Sequence, residues 1–433
     1  MTISRRDLIV RGALGAVALR ALPRTSFAAG SASPPRPRML LQIILQGGMD
    51  TSLTIDPKRK SELDRRIEMQ YDEGAISLVG KTSLGPLFSP FAPHVPNMAI
   101  LNGVVSSTVA HKTGRFQVKQ LRRLFPAGSP VLAEVIGDHL RGEAPLSCAF
   151  VGDGQTDFED YRPTGRSLGL KYDMLDDPGS GLIPQLSRLA RDDARQPAVR
   201  RALDVQLQRC AADACMPFET SRSLLDRLRL TPPPPERRDI AVVANEGMAV
   251  EESWRMFKMK GMSAAIRDIM FLFSNGLAPA VFWTPPLNWD SHENNLPHQT
   301  RMNGMFASAF LHLMEELQRH TTADGISLAD QVGIVVSSEL GRFPILNIAK
   351  GKDHFPEAYA ILMGPGIRPG QYGQTDALTM STAISRQTGR PSSSAKDSIP
   401  TLDDLGVTVL RWFGIEDTLS LGYLGRHLDF LRT

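Results

Sequence analysis

Cysteine is scarce. Only Cys148, Cys210 and Cys215 occur in 433 residues, too few for a disulfide framework, and the spacing of the last two matches no zinc knuckle. Cys210 and Cys215 can pair in an oxidising compartment if a helix ends between them; free buried thiols are the alternative. Net charge is also small. Of the formal +3, Arg5, Arg6, Arg11, Arg20 and Arg24, set against Asp7, place +4 in the first 29 residues, so the rest of the chain is net −1. The basic balance belongs to the N-terminus and gives no ground for nucleic-acid binding by the folded part. No stretch is long and uncharged enough for a stable membrane span, and no internal repeat is evident. What the chain does have is 42% apolar against 22% charged residues, the balance of a globular protein, with 31 prolines and 36 glycines for many loops. Its length fits one large α/β domain or two ordinary ones.

The N-terminus reads as an export signal. Ser4–Arg5–Arg6–Asp7–Leu8–Ile9 is a twin-arginine pattern, followed by a weakly apolar region, Leu8–Leu22, broken by Arg11 and Arg20. Ser26–Phe27–Ala28 offers small residues for cleavage after Ala28. Residues 1–28 are therefore expected to be a twin-arginine signal peptide, 29–38 a Pro-rich leader and 39–433 a single α/β domain. The predicted location is periplasmic or secreted, with the twin-arginine translocase as export partner. A basic amphipathic helix that stays as an anchor is the other reading. The twin-arginine route carries folded proteins, often with a cofactor inserted, which favours a metal site.

Gln331–Pro356 is the centre of the chain. Val332–Val336 reads as a buried parallel strand. It breaks into Ser337, Ser338, Glu339, Leu340, Gly341 and Arg342, polar groups at the strand's C-terminal end, where open α/β sheets keep their chemistry. Lys352–Asp353–His354 follows, and an adjacent Asp and His can bind a divalent metal. The alternative is an ion pair of Glu339 with Arg342 and a turn capped by Asp353.

Other strands end in the same way. Met39–Leu45 runs into Gln46–Gly47–Gly48–Met49–Asp50, with Asp50 a metal ligand or a cap. Ala99–Val105 runs into Ser106, Ser107, Thr108 and His111, ahead of a helix near Gln117–Leu124. A hydroxyl there is placed as a nucleophile or as an N-cap. Ser147–Val151 ends in Gly152–Asp153–Gly154. Ala280–Trp283 leads to Asp290 and His292, alternate residues that share one side of an extended segment. Residues 157–238 read as a largely helical insertion or cap, ended by the prolines before Glu236. Helices are expected over Met262–Leu277, Met302–His320 and Thr401–Phe413, a strand over Ala358–Met363, and loop over Gln371–Ile399. Met305, Phe306, Phe310, Leu313, Met314 and Leu317 form the apolar stripe of the second of these helices.

A twin-arginine signal, a strand ending GGMD, a W-D-S-H-E-N segment, a strand ending S-S-E-L-G-R and a G-K-D-H-F-P loop occur in this order. From about Leu40 to Ile415 the chain resembles the secreted bacterial family known as domain of unknown function 1501, which looks like a branch of the alkaline phosphatase and sulfatase superfamily. The resemblance implies an α/β fold with a mostly parallel central sheet flanked by helices, and a metal site at the strand C-terminal edge. Carried over, it makes Asp50, Asp290, His292, Glu339, Asp353 and His354 the metal set, and His111 a residue common in the family. Leu340 stands where the superfamily has His, and Thr108, Ser107 and Ser106 are nucleophile candidates by position alone. A two-metal site is thus reduced to one metal or lost.

The expected function is an exported, metal-dependent hydrolase of phosphate or sulfate esters, small or polymeric. One or two divalent ions (zinc, manganese, calcium or magnesium) would be held by the set above, with Thr108 and His111 as catalytic residues. The alternative is a non-catalytic exported protein that uses the same crevice to bind a polymer or a protein partner.

Overall fold

The computed structural model describes residues 35–126, 129–152, 166–171, 182–210, 215–242 and 252–433. The twin-arginine segment, its cleavage position, Asp153–Gly154 and part of the 157–238 insertion lie outside the described residues. Pro35–Thr433 forms one compact unit.

The chain supplies strands β1 (Met39–Leu45), β2 (Ser77–Val79), β3 (Thr82–Leu84), β4 (Met98–Val105), β5 (Cys148–Gly152), β6 (Ser167–Lys171), β7 (Ala280–Trp283), β8 (Val332–Ser338), β9 (Gly341–Arg342), β10 (His354–Phe355), β11 (Glu357–Met363) and β12 (Gly370–Tyr372). Eight of them form the central sheet in the order β12-β4-β11-β8-β1-β7-β5-β6. All run parallel except β11, which is antiparallel to both β4 and β8. β2–β3 and β9–β10 are separate antiparallel ribbons.

The apolar runs form strands because both faces of the sheet are covered. Alternation along β1 divides its side chains. Met39, Leu41, Ile43 and Leu45 enter one core, with Met262 and Ile266 of helix α6 (Glu252–Ser274) and Met305 and Phe310 of α7 (Asn295–Arg319). Leu40 and Ile44 enter the other, with Val118 of α1 (His111–Gln120), Ile136 of α2 (Leu132–Leu140) and Leu405 and Trp412 of α8 (Leu402–Trp412). Each such Leu or Ile taken fully out of water stabilises the fold by about 1.5–3 kcal/mol. The architecture is a large, mostly parallel sheet between two helical layers, as the sequence predicts.

Several boundaries differ from the sequence reading. α1 begins at His111, not near Gln117, because a polar run with Gly114 hides a helix that the fold imposes. α7 begins at Asn295, seven residues early; Pro297 looks like a breaker but sits in the first turn, where its missing N–H costs nothing. Within the predicted helical insertion, α3 (Leu182–Arg191), α4 (Gln196–Arg209) and α5 (Met216–Leu230) are helical, and α5 stops before the four prolines. Ser167–Lys171, however, is strand β6 on the sheet edge. Gly370–Tyr372 likewise adds a short strand at the start of the predicted loop. Cys210 and Cys215, at the end of α4 and the start of α5, form a disulfide, and Cys148 is a buried free thiol. No helix among the described residues is long and apolar enough to cross a membrane.

Candidate metal centre

The C-terminal ends of β1, β4, β7 and β8 open on one edge of the sheet, and the segments that follow them meet there. β11 runs the other way, so its N-terminal end, with His354 just before it, arrives at the same edge. Gly47, after β1, lets these segments close up. Its φ is +94°, and a Cβ there would lie 2.3 Å from the Asp290 nitrogen. Its N–H donates to Glu339 Oε1 at 2.7 Å. Gly351 does the same for the 351–354 segment, since a Cβ would fall 1.9 Å from the His292 carbonyl carbon.

Three imidazoles surround Asp290. His111 Nδ1 lies 2.9 Å from Glu339 Oε1, His292 Nδ1 lies 3.0 Å from Asp353 Oδ1, and His354 Nδ1 lies 2.6 Å from the Val109 carbonyl. Each of these oxygens accepts, so each Nδ1 carries the proton and each Nε2 is left to face inward. His111 Nε2 is 3.3 Å from Asp290 Oδ2, and His292 Nε2 and His354 Nε2 are 3.1 and 3.5 Å from Asp290 Oδ1. His292 Nε2 and His354 Nε2 are 2.8 Å apart. Two ring nitrogens at that distance need a proton or a cation between them, since two lone pairs repel. His111 Nε2 is buried, with the Asp290 carboxylate as its ion-pair partner. Ligand atoms of His111, Asp290 and His354 all fall within 4.8 Å of one another, the spacing of residues that can share one ion. Three imidazole nitrogens and one carboxylate suit zinc; calcium and magnesium prefer all-oxygen sets.

Electrostatics agree with a cation-seeking cluster. Burial works against the charged form of Asp290, but the His111 hydrogen bond and the charges of Arg342, His111 and His292 hold its carboxyl well below the usual carboxylate range. The Asp290 and Glu339 carboxylates push the His111 imidazole up to about 9. Burial, with the His111 charge, pushes His354 down, which keeps its Nε2 bare at neutral pH. Hydrogen bonds from His292 and Asn347 lower Asp353.

The six predicted ligands therefore divide. Asp290, His292 and His354 meet, joined by His111, which the sequence reading had as a catalytic residue. Glu339 and Asp353 stand behind His111 and His292 as the carboxylates that orient them, although Glu339 Oε2 is itself buried and unpartnered. Asp50 is elsewhere engaged. It is buried and accepts from Ser52 Oγ at 2.6 Å and Asn295 Nδ2 at 2.8 Å, and Lys352 Nζ is 2.8 Å from its Oδ2. Despite burial, Lys352 and these hydrogen bonds lower its pKa. Thr108 Oγ1 accepts from Ala110 N–H at 3.0 Å in a turn before α1, and its neighbour Val109 holds His354.

The sequence reading missed Lys352 in this role, and missed how far Arg342 is buried. The Arg342 guanidinium gives 2.7 Å to Asp290 Oδ1, 2.9 Å to the Lys352 carbonyl and 3.2 Å to the Gly48 carbonyl, and also bonds the Gly47 carbonyl. It ties the β1, β7 and β8 exits together. A basic residue after a buried strand, directly following a glycine, was the available signal.

This is an α/β sheet protein with a His/Asp cluster at its strand edge. Residues 242–427 match the family described as "Protein of unknown function (DUF1501)", which agrees with the resemblance read from the motifs. Comparison with curated proteins finds no match. Solved structures similar to the chain include the PsFucS1 sulfatase from Pseudoalteromonas sp., at 10% identity and a TM-score of 0.44, covering 92% of this chain and 72% of that one. A protein in the alkaline phosphatase superfamily from Vibrio parahaemolyticus has 10% identity and a TM-score of 0.37, with coverage of 90% and 72%. A lipoteichoic acid synthase from Listeria monocytogenes has 9% identity and a TM-score of 0.39, with coverage of 92% and 76%.

Proposed function

We propose that the protein is an exported, metal-dependent hydrolase of phosphate or sulfate esters, with a single divalent ion, zinc by its donor set, on Asp290, His111, His292 and His354. The observation that carries this reading is the convergence of three Nε2 atoms on one carboxylate, each with its Nδ1 pinned by a separate acceptor. A bound ion would polarise the ester oxygen and lower the pKa of a water molecule. Glu339, Asp353 and the Val109 carbonyl fix the tautomer and direction of the three rings. Arg342 neutralises part of the Asp290 charge and holds the carboxylate in register. Thr108, or a water molecule, is the nucleophile in this reading. The Thr108 hydroxyl accepts from Ala110 and keeps its own proton free to give up. Asp50 holds no ion here, since Lys352 already supplies its positive charge.

Export by the twin-arginine route, with residues 1–28 removed, belongs to the same proposal. The Cys210–Cys215 disulfide supports an oxidising destination. The lysine on Asp50 also favours a second reading, a non-catalytic protein that binds a polymer or protein partner in the same crevice.

Elemental analysis of protein purified without chelator, followed by a panel of phosphate and sulfate esters, tests the two. The hydrolase reading expects one equivalent of metal, and turnover that is lost with the metal in His354→Ala. Turnover that survives in His354→Ala would sink it. A protein that neither holds nor takes up metal and turns over no ester supports the second reading.

A further inference from the structure

A cavity of about 630 Å3 opens beside the cluster, lined by Asp290 and His292 on one side and by Glu293, Asn294, Pro297, His298 and Arg301 on the other. Arg301 is the unusual member. It is half-buried on the second turn of α7, its Nε is sealed from solvent without a partner, and among the described residues its guanidinium makes no hydrogen bond or ion pair. Of the two acids that line the cavity, Asp290 is already served by Arg342 and His111, and Glu293 makes no ion pair with Arg301. His298, one turn back, is also occupied: its Nε2 lies 2.7 Å from the Asn288 carbonyl and donates to it.

A half-buried guanidinium that makes no ion pair leaves its planar fork of donors open to a ligand, and that fork matches the oxygens of phosphate and sulfate. The cavity leaves room beyond one such group, enough for an anion carried on a larger molecule. We propose that Arg301 is the anion-recognition residue of this cavity, and that its ligand is an oxyanion of the phosphate or sulfate class carried on a larger molecule. The ligand class rests on the hydrolase reading; the assignment of Arg301 rests on the cavity.

The test is calorimetric titration of the full chain with inorganic phosphate and, separately, inorganic sulfate, before and after loading with zinc. Wild type, Arg301→Gln, Arg301→Lys and the exposed control Arg195→Gln are compared, with metal content measured in parallel. The expected result is a loss of about tenfold or more in affinity for at least one of the two anions in Arg301→Gln, as for a charge-assisted bidentate contact. Arg301→Lys should recover part of it, and Arg195→Gln should match wild type. Whichever anion responds identifies the class. Equal anion affinity in wild type and Arg301→Gln, or no anion binding by wild type, overturns the assignment even where metal is taken up normally. An Arg301-dependent anion site in a protein that takes up no metal leaves the assignment standing and removes the metal reading instead.

Discussion

Lys352 Nζ lies 2.8 Å from Asp50 Oδ2, and both side chains are almost wholly buried. The acid that follows the first strand, where a metal ligand was expected, is matched by an ammonium from the chain itself. Lys352 also bonds Ser52 Oγ at 3.1 Å, and Asn295 reaches the same carboxylate. The pair is thus a closed internal contact. Lys352→Met should strip Asp50 of its counter-charge and cost about 3–5 kcal/mol in urea unfolding. Asp50→Asn combined with Lys352→Met should recover a large part of that. A single variant as stable as wild type would show that the pair contributes nothing.

The three histidines predict graded losses of metal. In the metal-centre proposal His292→Ala or His354→Ala removes a direct donor, and each should leave little metal after dialysis, measured by elemental analysis. Glu339→Gln keeps the shape but weakens the support of His111, and should lower metal affinity by about 10–100-fold. If Glu339→Gln bound metal as tightly as wild type, Glu339 would not act through His111.

His111 gives the pH dependence a sign. Its pKa is raised to about 9 in the metal-free protein, so at pH 7.5 its Nε2 holds a proton that a metal must displace. Zinc binding at pH 7.5 should therefore release about one proton, read from the dependence of calorimetric heat on buffer ionisation enthalpy. Affinity should rise toward pH 9. A buffer-independent heat would count against His111 as a donor.

Glu357 titrates away from the cluster. Burial is the main cause that pushes its carboxyl up to about 7, above its ordinary value of 4.5, and the Ser381 N–H only partly offsets it. The folded state therefore holds the proton more tightly than the unfolded one. That contribution to stability is complete below about pH 4.5 and is lost as pH rises through about 7. Glu357→Gln should remove this slope, so that the wild type loses stability relative to the variant between pH 5 and pH 8, by on the order of 1–3 kcal/mol. Parallel urea curves for the two proteins across that range would refute it.

Much of the sheet could be read from the chain because its strands are apolar, β-branched runs cut by Gly, Pro or polar groups. β1, β7 and β8 are of this kind. β6 is not: Ser-Leu-Gly-Leu-Lys carries a glycine and ends in a lysine, and only its pairing with β5 makes it a strand. The direction of β11 was also hidden, since side-chain alternation is the same for either direction. The residues that cluster at the sheet edge were legible as residue types after strands, but which of them meet and which stand behind was not. Whether Glu339 touches an ion or stands behind a histidine depends on a ring's orientation, which spacing does not fix. Lys352 took no role in the sequence because its partner, Asp50, lies 302 positions away.

The reversal of β11 has a consequence for how the site could be taken apart. The chain leaves the sheet edge after Ser338 and re-enters it at Glu357, and this one excursion carries Glu339, Arg342, Lys352, Asp353 and His354. Its tip around Asn347 is held by contacts to the His292 carbonyl and to Gly351, while Ile348 beside it is fully exposed. A protease cut at that tip would break none of the hydrogen bonds between β8 and β11. The two arms would stay joined below the tip by the β9–β10 ribbon and by the Arg342 bond to the Lys352 carbonyl, so a nicked chain would keep both its sheet and its histidine cluster.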